Sequence, residues 1–504
     1  MAPGLVHICI TMSNLKPIVI GITGHRQLRK QDIPLLKEAV RQQLEAVALK
    51  CPNSPVKLLT SLAEGADQLC AEVALELNIG LIVALPMEIS EYKRDFTSGV
   101  LFNFEQLISK AEKVFVVPQK ELRNQSFSRD YYYRQADIYI ATHSLALLAL
   151  WDGTSPSAGG CGTAETVDIA LNHSYESKRF VHNQDAFVIH ILTPRNPQAE
   201  NVADVNYLGN EDLFNESLVK IDELNKDGGD PDFLSIQNGK KYHKNLMLLA
   251  ILGTILTMAF LLYDEVMIKW MLIVLGVILV IMSLVFKFAT KTKAHQKYIE
   301  YRSLAECLRV QNHLNHCGIK EDVSEFLDWT RRFDNPWILK AVQTANVICS
   351  IDNTEDIKQD WIIEQQHYHE QAAEKAKLQE KRNNTILKTV AIASILIYLF
   401  ALVFEYGISG YFDANIELVR TIIKVSVGTA SAAGLFAANY YGKLSLKRVY
   451  EDHIIMANYF KNAADYLEGH TLDNQFLFEL INEELSENSN WCSYEKDNEI
   501  GMII

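Results

Sequence analysis

The amino-acid sequence predicts two architectures in one chain: an α/β, doubly wound parallel sheet, then an all-α membrane domain with four transmembrane helices in two hairpins. Three observations carry this. Short, continuously apolar, β-rich runs alternate with helical patterns through residues 17–195. Leu246–Tyr263 (LMLLAILGTILTMAFLLY) carries no charge across eighteen residues, and a hydrocarbon core ~30 Å thick needs roughly 20 apolar helical residues, with ~17 as the lower limit. Trp270–Phe286 is nearly as apolar, and only Asp264–Lys269 separates the two, so an antiparallel pair is the simplest arrangement.

Length and composition set the bounds. The 504 residues exceed one ordinary core, so two to four domains are expected. Net charge is −14 and pI about 5.5, which argues against a nucleic-acid polymer as partner. A small anionic ligand stays open, because local backbone dipoles bind it. The eight cysteines include no CxxC pair, so neither a zinc ribbon nor a disulfide framework is indicated. The first residues, MAPGLVHICITMSNLKP, lack a charged segment followed by an apolar one, so no cleaved signal peptide is expected.

The elements of the head follow in order. Pro17–Thr23 (PIVIGIT) is a strand ending in Gly24-His25-Arg26, and Ile33–Lys50 is amphipathic at helical spacing. Val56–Thr60 is a second strand, turning at Ser61–Gly65 into the helix Ala66–Leu77. Leu81–Leu85 and Val114–Val117 are strands stopped by Pro86 and Pro118; Leu145–Trp151 and Phe187–Leu192 complete six. Continuous apolar strands alternating with helices mean a parallel sheet covered on both faces.

Such sheets bind ligands at the carboxyl ends of their strands, where strand order reverses. Three loops there carry suitable chemistry. In Gly24-His25-Arg26 the glycine lets backbone approach a ligand and Arg26 can pair with phosphate. Ser61, Glu64, Gly65 and Asp67 open a helix whose free N–H groups attract anions. Asp152, then Gly159, Gly160, Gly162, Thr163 and Glu165, form a glycine-rich turn into Ala164–Leu171, with Thr163 a cap or phosphate donor. Together they point to a nucleotide-type ligand. Asp67 reads equally as a first-turn helix acid, Asp152 as a turn former, and Arg134 as a residue of a solvated helix face.

GITGHR, LLTSLAEGADQL, LIVALP and LALWDG with GGCGTAETVDIA resemble the SLOG superfamily of Rossmann-like domains, which includes the LOG nucleotide phosphoribohydrolases, DprA-type proteins and the N-terminal region of TRPM channels. The resemblance covers roughly residues 17–195 and implies recognition of a nucleotide or nucleotide-derived signal. LOG enzymes carry PGGxGTxxE. Here Gly159, Gly160, Gly162 and Thr163 match, Ala158 replaces the proline, and Glu165 falls one residue short of the carboxylate's place. On a helix that is a rotation of ~100°. The head is therefore expected to bind its ligand rather than cleave it, with no catalytic residue and no cofactor assigned. The rival is an N-glycosidase using Glu64, Asp67 or Glu165; a scaffold that only recruits a partner is a third reading.

Residues 196–239 read as a polar linker with one short helix, Glu211–Leu224. Residues 240–320 read as the first hairpin with a trailing helix, 321–388 as a cytoplasmic helical segment, and 389–504 as the second hairpin with its trailing helices. Lys240, Lys241 and Lys244 precede span one, and Lys287, Lys291, Lys293 and Lys297 follow span two; Lys381, Arg382 and Lys388 precede span three, and Lys443, Lys447 and Arg448 follow span four. The positive-inside rule places the head and both termini in the cytoplasm of a multi-pass inner-membrane protein. Arg420 and Lys424 lie at the outer end of span four, to snorkel or pair with Glu405 or Glu417, or to line an aqueous path. The small and hydroxylated residues of that span make Lys424, Ser426, Thr429 and Ser431 the pore-lining candidates. Two metal possibilities, His313/His316/Cys317 and His367/His369, lack further ligands, so no metal is assigned.

Each hairpin is followed by an amphipathic helix, Lys297–Arg309 and Arg448–Lys461, which suggests duplication. This layout, with YRSLAECLR at Tyr301–Arg309, resembles the SLATT family of two-transmembrane effectors. The combined resemblance implies a homo-oligomeric membrane effector in bacterial anti-phage defence. It would be gated by a nucleotide or cyclic (oligo)nucleotide second messenger and act on the lipid bilayer.

Overall fold

A computed structural model describes residues 15–118, 128–155, 162–172, 186–199, 201–319, 322–327, 330, 335–348, 356–408 and 416–497. The chain forms two compact units, Met1–Pro231 with Leu304–Asp352, and Asp232–Ser303 with Asn353–Ile504.

The first unit is built on a seven-stranded sheet: β1 (Ile18–Gly24), β2 (Val56–Thr60), β3 (Gly80–Leu85), β4 (Lys113–Val116), β5 (Ala146–Trp151), β6 (Phe187–Leu192) and β7 (Val205–Gly209). Their spatial order is β4-β3-β2-β1-β5-β6-β7, all parallel except β7, which runs antiparallel to β6. Helices α1 (Ile33–Lys50), α2 (Ala66–Glu76), α3 (Ile89–Tyr92), α4 (Ser98–Lys110), α5 (Arg129–Thr142) and α6 (Thr163–Asn172) connect the strands. Ile18, Val19, Ile20 and Ile22 of β1 are all buried. Burial on both faces is what leaves the central strands continuously apolar rather than alternating. The strand order reverses between β1 and β5, so the loops following β2, β1 and β5 are neighbours at one sheet edge.

Residues 196–239 are more than a linker. Val205–Gly209 pairs with β6, and α7 (Glu211–Lys226) buries Leu213, Phe214, Leu218, Ile221 and Leu224. Phe187 stacks on both Tyr207 and Phe214, with centroids 5.7 and 4.6 Å apart. The strand escapes a sequence reading because NYLG is short and half polar, as an edge strand with one wet face is.

The segment expected to be a separate cytoplasmic stretch also belongs partly here. Within Leu304–Asp352, α11 (Pro336–Ile348) sits against α7, with Lys220 Nζ 5.9 Å from the ring of the fully buried Trp337. Lys113 Nζ donates to the Val347 carbonyl at 2.8 Å, and Val347 lies in the core cluster of the sheet. His143, just past α5, meets Asp322 through Nε2 at 2.6 Å.

The second unit is helical: α8 (Pro231–Val266), α9 (Met271–Thr292), α10 (Ala294–His316), α12 (Glu364–Val403), α13 (Ile416–Leu444), α14 (Leu446–Gly469) and α15 (Asn474–Lys496). Helix α10 begins in this unit and carries the chain back into the first. Among the described residues, four stretches are long and apolar enough to cross a membrane; they lie in α8, α9, α12 and α13, and at most 17 % of any of them is buried within the chain. This is a membrane protein by the length and composition of those helices. At 1.5 Å per residue the 36 residues of α8 reach ~54 Å, well past a ~30 Å hydrocarbon core.

The two hairpins share a device that fits duplication. Span two ends at Lys293 (φ 48°) and span four at Ser445 (φ 44°), single left-handed residues, after which helices of 23 and 24 residues begin. Tyr298 and Tyr450 each stand five residues beyond that break. Helix α15 touches both trailing helices: Trp491 meets Tyr298 edge-on and takes the Arg302 guanidinium on its face at 4.4 Å, while Tyr494 takes that of Arg448 at 4.3 Å.

Candidate functional site

The site stands at the carboxyl ends of β2, β1 and β5. Each loop is set by local backbone chemistry before any ligand enters. After β2, Asp67 Oδ2 accepts from Thr60 Oγ1 (2.9 Å), Ser61 Oγ (3.1 Å) and the Ala63 N–H (3.4 Å). Asp67 is thus a buried brace that folds its own loop, and its side chain faces inward rather than toward a ribose. Burial pushes its carboxyl up to about 6, against those hydrogen bonds and the Arg26 charge. Gly65 has φ 89°, and a Cβ there would collide with the carbonyls of His25 and Arg26. It therefore permits the β2 loop to lie on the β1 loop. Gly24 plays a related part: it faces the Ala66 methyl, so its missing side chain serves helix packing rather than ligand approach. Among the described residues, Glu64 has no hydrogen bond or ion pair.

The β1 and β5 loops are tied together through His25. The Asp152 N–H donates to His25 Nε2 at 3.0 Å, which leaves the ring proton on Nδ1. Burial lowers the His25 pKa, with Asp152 opposing and Arg195 assisting, so the ring is neutral at pH 7. Asp152 Oδ1 accepts from Thr154 N (3.2 Å) and Oγ1 (2.7 Å), and Oδ2 from Arg195 Nε (2.6 Å). Burial alone would raise this carboxyl; the Thr154 and Arg195 hydrogen bonds outweigh it and hold it down at about 2.

Arg26 is exposed, its Cζ 5.0 Å from the centroid of Tyr133. Tyr133 donates to Asp95, whose two oxygens also receive Arg129 Nη2 at 2.7 Å. Thus α5, the β1 loop and the turn after α3 converge on one aromatic.

Gly159 and Gly160 lie outside the described residues. Gly162 and Thr163 lie within them: Thr163 is the first residue of α6 and buried, so Gly162 occupies the cap position and its carbonyl accepts the Thr166 N–H at 3.0 Å. Glu165 pairs with Arg134 (3.3 Å), and its Oε2 has no hydrogen-bond partner among the described residues. The pairing places Arg134 beside Glu165, with its side chain still partly exposed to solvent.

Asp137 is the residue that sequence reading passes over. It sits two turns into α5, hydrogen-bonds with Thr166, and feels Asp67, Glu165 and Arg26. Burial first, then the Asp67 charge, push its carboxyl up to about 7. Nothing in DYYYRQADIYIA sets this carboxylate apart; only the packing of α5 on α6 brings it to Thr166.

In the N-terminal part of span four, Arg420 meets Glu405 (2.6 Å) and Glu417 (3.2 Å), and Lys424 meets Glu265 (2.8 Å). Both cations are therefore paired. Of the other pore-lining candidates, Ser431 is exposed, Ser426 and Thr429 are half-buried, and Thr429 Oγ1 has no partner among the described residues. No group of three His, Cys, Asp or Glu among the described residues is placed to hold a metal ion. No known family model matches the chain, and no curated protein matches it.

Proposed function

We propose that this protein is a membrane effector gated by a nucleotide-derived signal. The single observation that carries the reading is the coexistence, in one chain, of three ligand-type loops gathered at one sheet switch point and four helices able to cross a membrane. The resemblance of the head to SLOG domains and of the hairpins to SLATT effectors supports it. Arg26 and the α6 N-terminus would hold phosphate, and the neutral His25 Nδ1–H would donate to the ligand.

In this reading the chain is a multi-pass inner-membrane protein with both termini cytoplasmic, as its basic flanks favour. It assembles as a homo-oligomer and permeabilises the bilayer, arresting an infected bacterial cell. Moving a gate from 1:99 to 99:1 takes ~5.5 kcal/mol of differential affinity, within reach of several charge-assisted phosphate contacts.

The test is dye release from liposomes that hold the purified protein, using the small molecules that mass spectrometry recovers from it. Release on adding a recovered nucleotide supports the reading. Recovery of no nucleotide, together with no melting shift from any nucleotide, overturns it.

One observation favours hydrolysis as a second reading. A carboxyl that burial pushes up to about 7, as at Asp137, suits a general acid, and it lies within the influence of Glu165. Release of free base from the added nucleotide would mark that outcome.

A further inference from the structure

We infer that the loop after β6 forms a base-recognition subsite, in which Arg195 reads the acceptor edge of a 6-oxopurine. The inference rests on the nucleotide reading above and names what that site selects.

A cavity of about 600 Å³ opens at the carboxyl ends of β5 and β6, beside the β1–β5 switch point. Leu192 and Pro194 supply apolar walls, Asn196 and Asn201 supply amides, and Asp152 and Arg195 supply the charges. The loop is anchored from the β1 side: Arg29 Nη1 donates to the carbonyls of Asn196 (2.6 Å) and Ala199 (3.2 Å), while Arg29 itself pairs with Asp32. Arg195 is held through Nε alone, at 2.6 Å from Asp152 Oδ2, and its side chain is 59 % exposed. Neither of its Nη groups has a partner among the described residues. The guanidinium is thus fixed in orientation by one nitrogen and presents its remaining N–H fork outward.

Such a fork fits a pair of acceptors. Two kinds of nucleotide group offer one, a phosphate and the O6/N7 edge of guanine or hypoxanthine. The cavity favours the base. The Asp152 carboxylate lines the same space and cancels the Arg195 charge, so a second anion gains little there. Apolar walls and side-chain amides suit a flat neutral heterocycle. Phosphate already has a better place at Arg26 and the α6 N-terminus. Adenine would set its N6 amino group against the Arg195 donors, so it is disfavoured.

Asp152 joins the two subsites. Its backbone N–H orients His25 at the switch point, and its carboxylate orients Arg195 at the cavity.

The test uses the full chain in detergent micelles, titrated calorimetrically with GMP, AMP, their cyclic dinucleotides and ribose 5-phosphate. The guanine ligands are expected to bind about tenfold tighter than the adenine ones. R195K keeps the charge but loses the fork, and should erase that ratio while leaving ribose 5-phosphate binding unchanged. R26A should weaken every ligand alike. A melting curve of R195K that matches the wild type excludes misfolding, and N201A provides a second variant expected to narrow the ratio. Equal binding of guanine and adenine ligands by the wild type, or a ratio that survives R195K, overturns the subsite and leaves the nucleotide reading standing. Failure of all five ligands to bind overturns both.

Discussion

Lys424 Nζ stands 2.8 Å from Glu265 Oε2, joining the N-terminal part of α13 to the last turn of α8. Two glycine contacts continue the same line inward. A Cβ on Gly428 would come within 2.5 Å of Leu261, and one on Gly253 within 2.5 Å of Phe436. Positions rise on α8 as they fall on α13 in steps of four or eight, which is one face of each helix in antiparallel register. The small residues of span four thus serve close packing on α8. By the same spacing Thr257 should oppose Ala432. Cysteines at these two positions are expected to form a disulfide on mild oxidation, visible as a faster-migrating band. Gly428→Leu should abolish the crosslink and destabilise the helical unit by ~1–3 kcal/mol through overpacking. Crosslinking at unrelated pairs with equal ease would refute the register.

The His143–Asp322 contact at 2.6 Å holds the Leu304–Asp352 segment on the sheet unit, reinforced by Asn346 Nδ2 at 3.2 Å. Burial would raise the Asp322 carboxyl, but the His143 charge and hydrogen bond bring it down to about 2. A carboxyl depressed on folding contributes stability that is present above its unfolded value of ~4 and lost as pH falls through about 2. Breaking a buried pair by removing one charge costs on the order of 3 kcal/mol. Asp322→Asn should therefore speed amide hydrogen exchange across residues 336–348 while the β1 amides keep their protection.

Asp137 and Asp67 run the opposite way. Their folded values, about 7 and about 6, lie above the unfolded ~3.9. Their neutral forms fit the fold; stability is complete below pH ~4 and declines as pH rises through 6 to 7. Asp137→Asn should flatten that decline, so the variant melts above the wild type at pH 8, by less at pH 5, and level with it only below pH ~4. Parallel melting curves for both proteins across that range would refute the assignment.

Gly65 permits the β2 loop to lie on the carbonyls of His25 and Arg26. Gly65→Ala meets both a left-handed backbone and a backbone collision, so a loss above ~1 kcal/mol is expected. Because the displaced atoms belong to the β1 loop, R26A made in the G65A background should weaken ligand binding less than it does alone, read by calorimetry.

Much of this architecture is written locally. Six strands emerge from runs such as Val56–Thr60 and Phe187–Leu192 because burial on both faces demands unbroken apolar sequence. Ile33–Lys50 and the four spans follow equally from periodicity, length and charge. Glycines and anion-type loops at 24–26, 61–67 and 152–165 are also visible, since each adjoins a strand end.

Other features depend on residues far apart in the chain. Strand order, and with it the switch point between β1 and β5, is a matter of pairing that no single segment encodes. Asp67 faces inward because Thr60, Ser61 and Ala63 offer it hydrogen bonds once the loop closes. Arg195 gains its role only when Asp152, 43 residues earlier, comes within 2.6 Å. Lys424, legible as a cation near a membrane edge, finds Glu265 159 residues away. The amino-acid sequence by itself determined which segments are strands, helices and spans, because those depend on local periodicity and hydropathy. Only the tertiary structure decided which polar groups share a site, because hydrogen bonds and ion pairs act over ~3 Å and are set by packing rather than by neighbours along the chain.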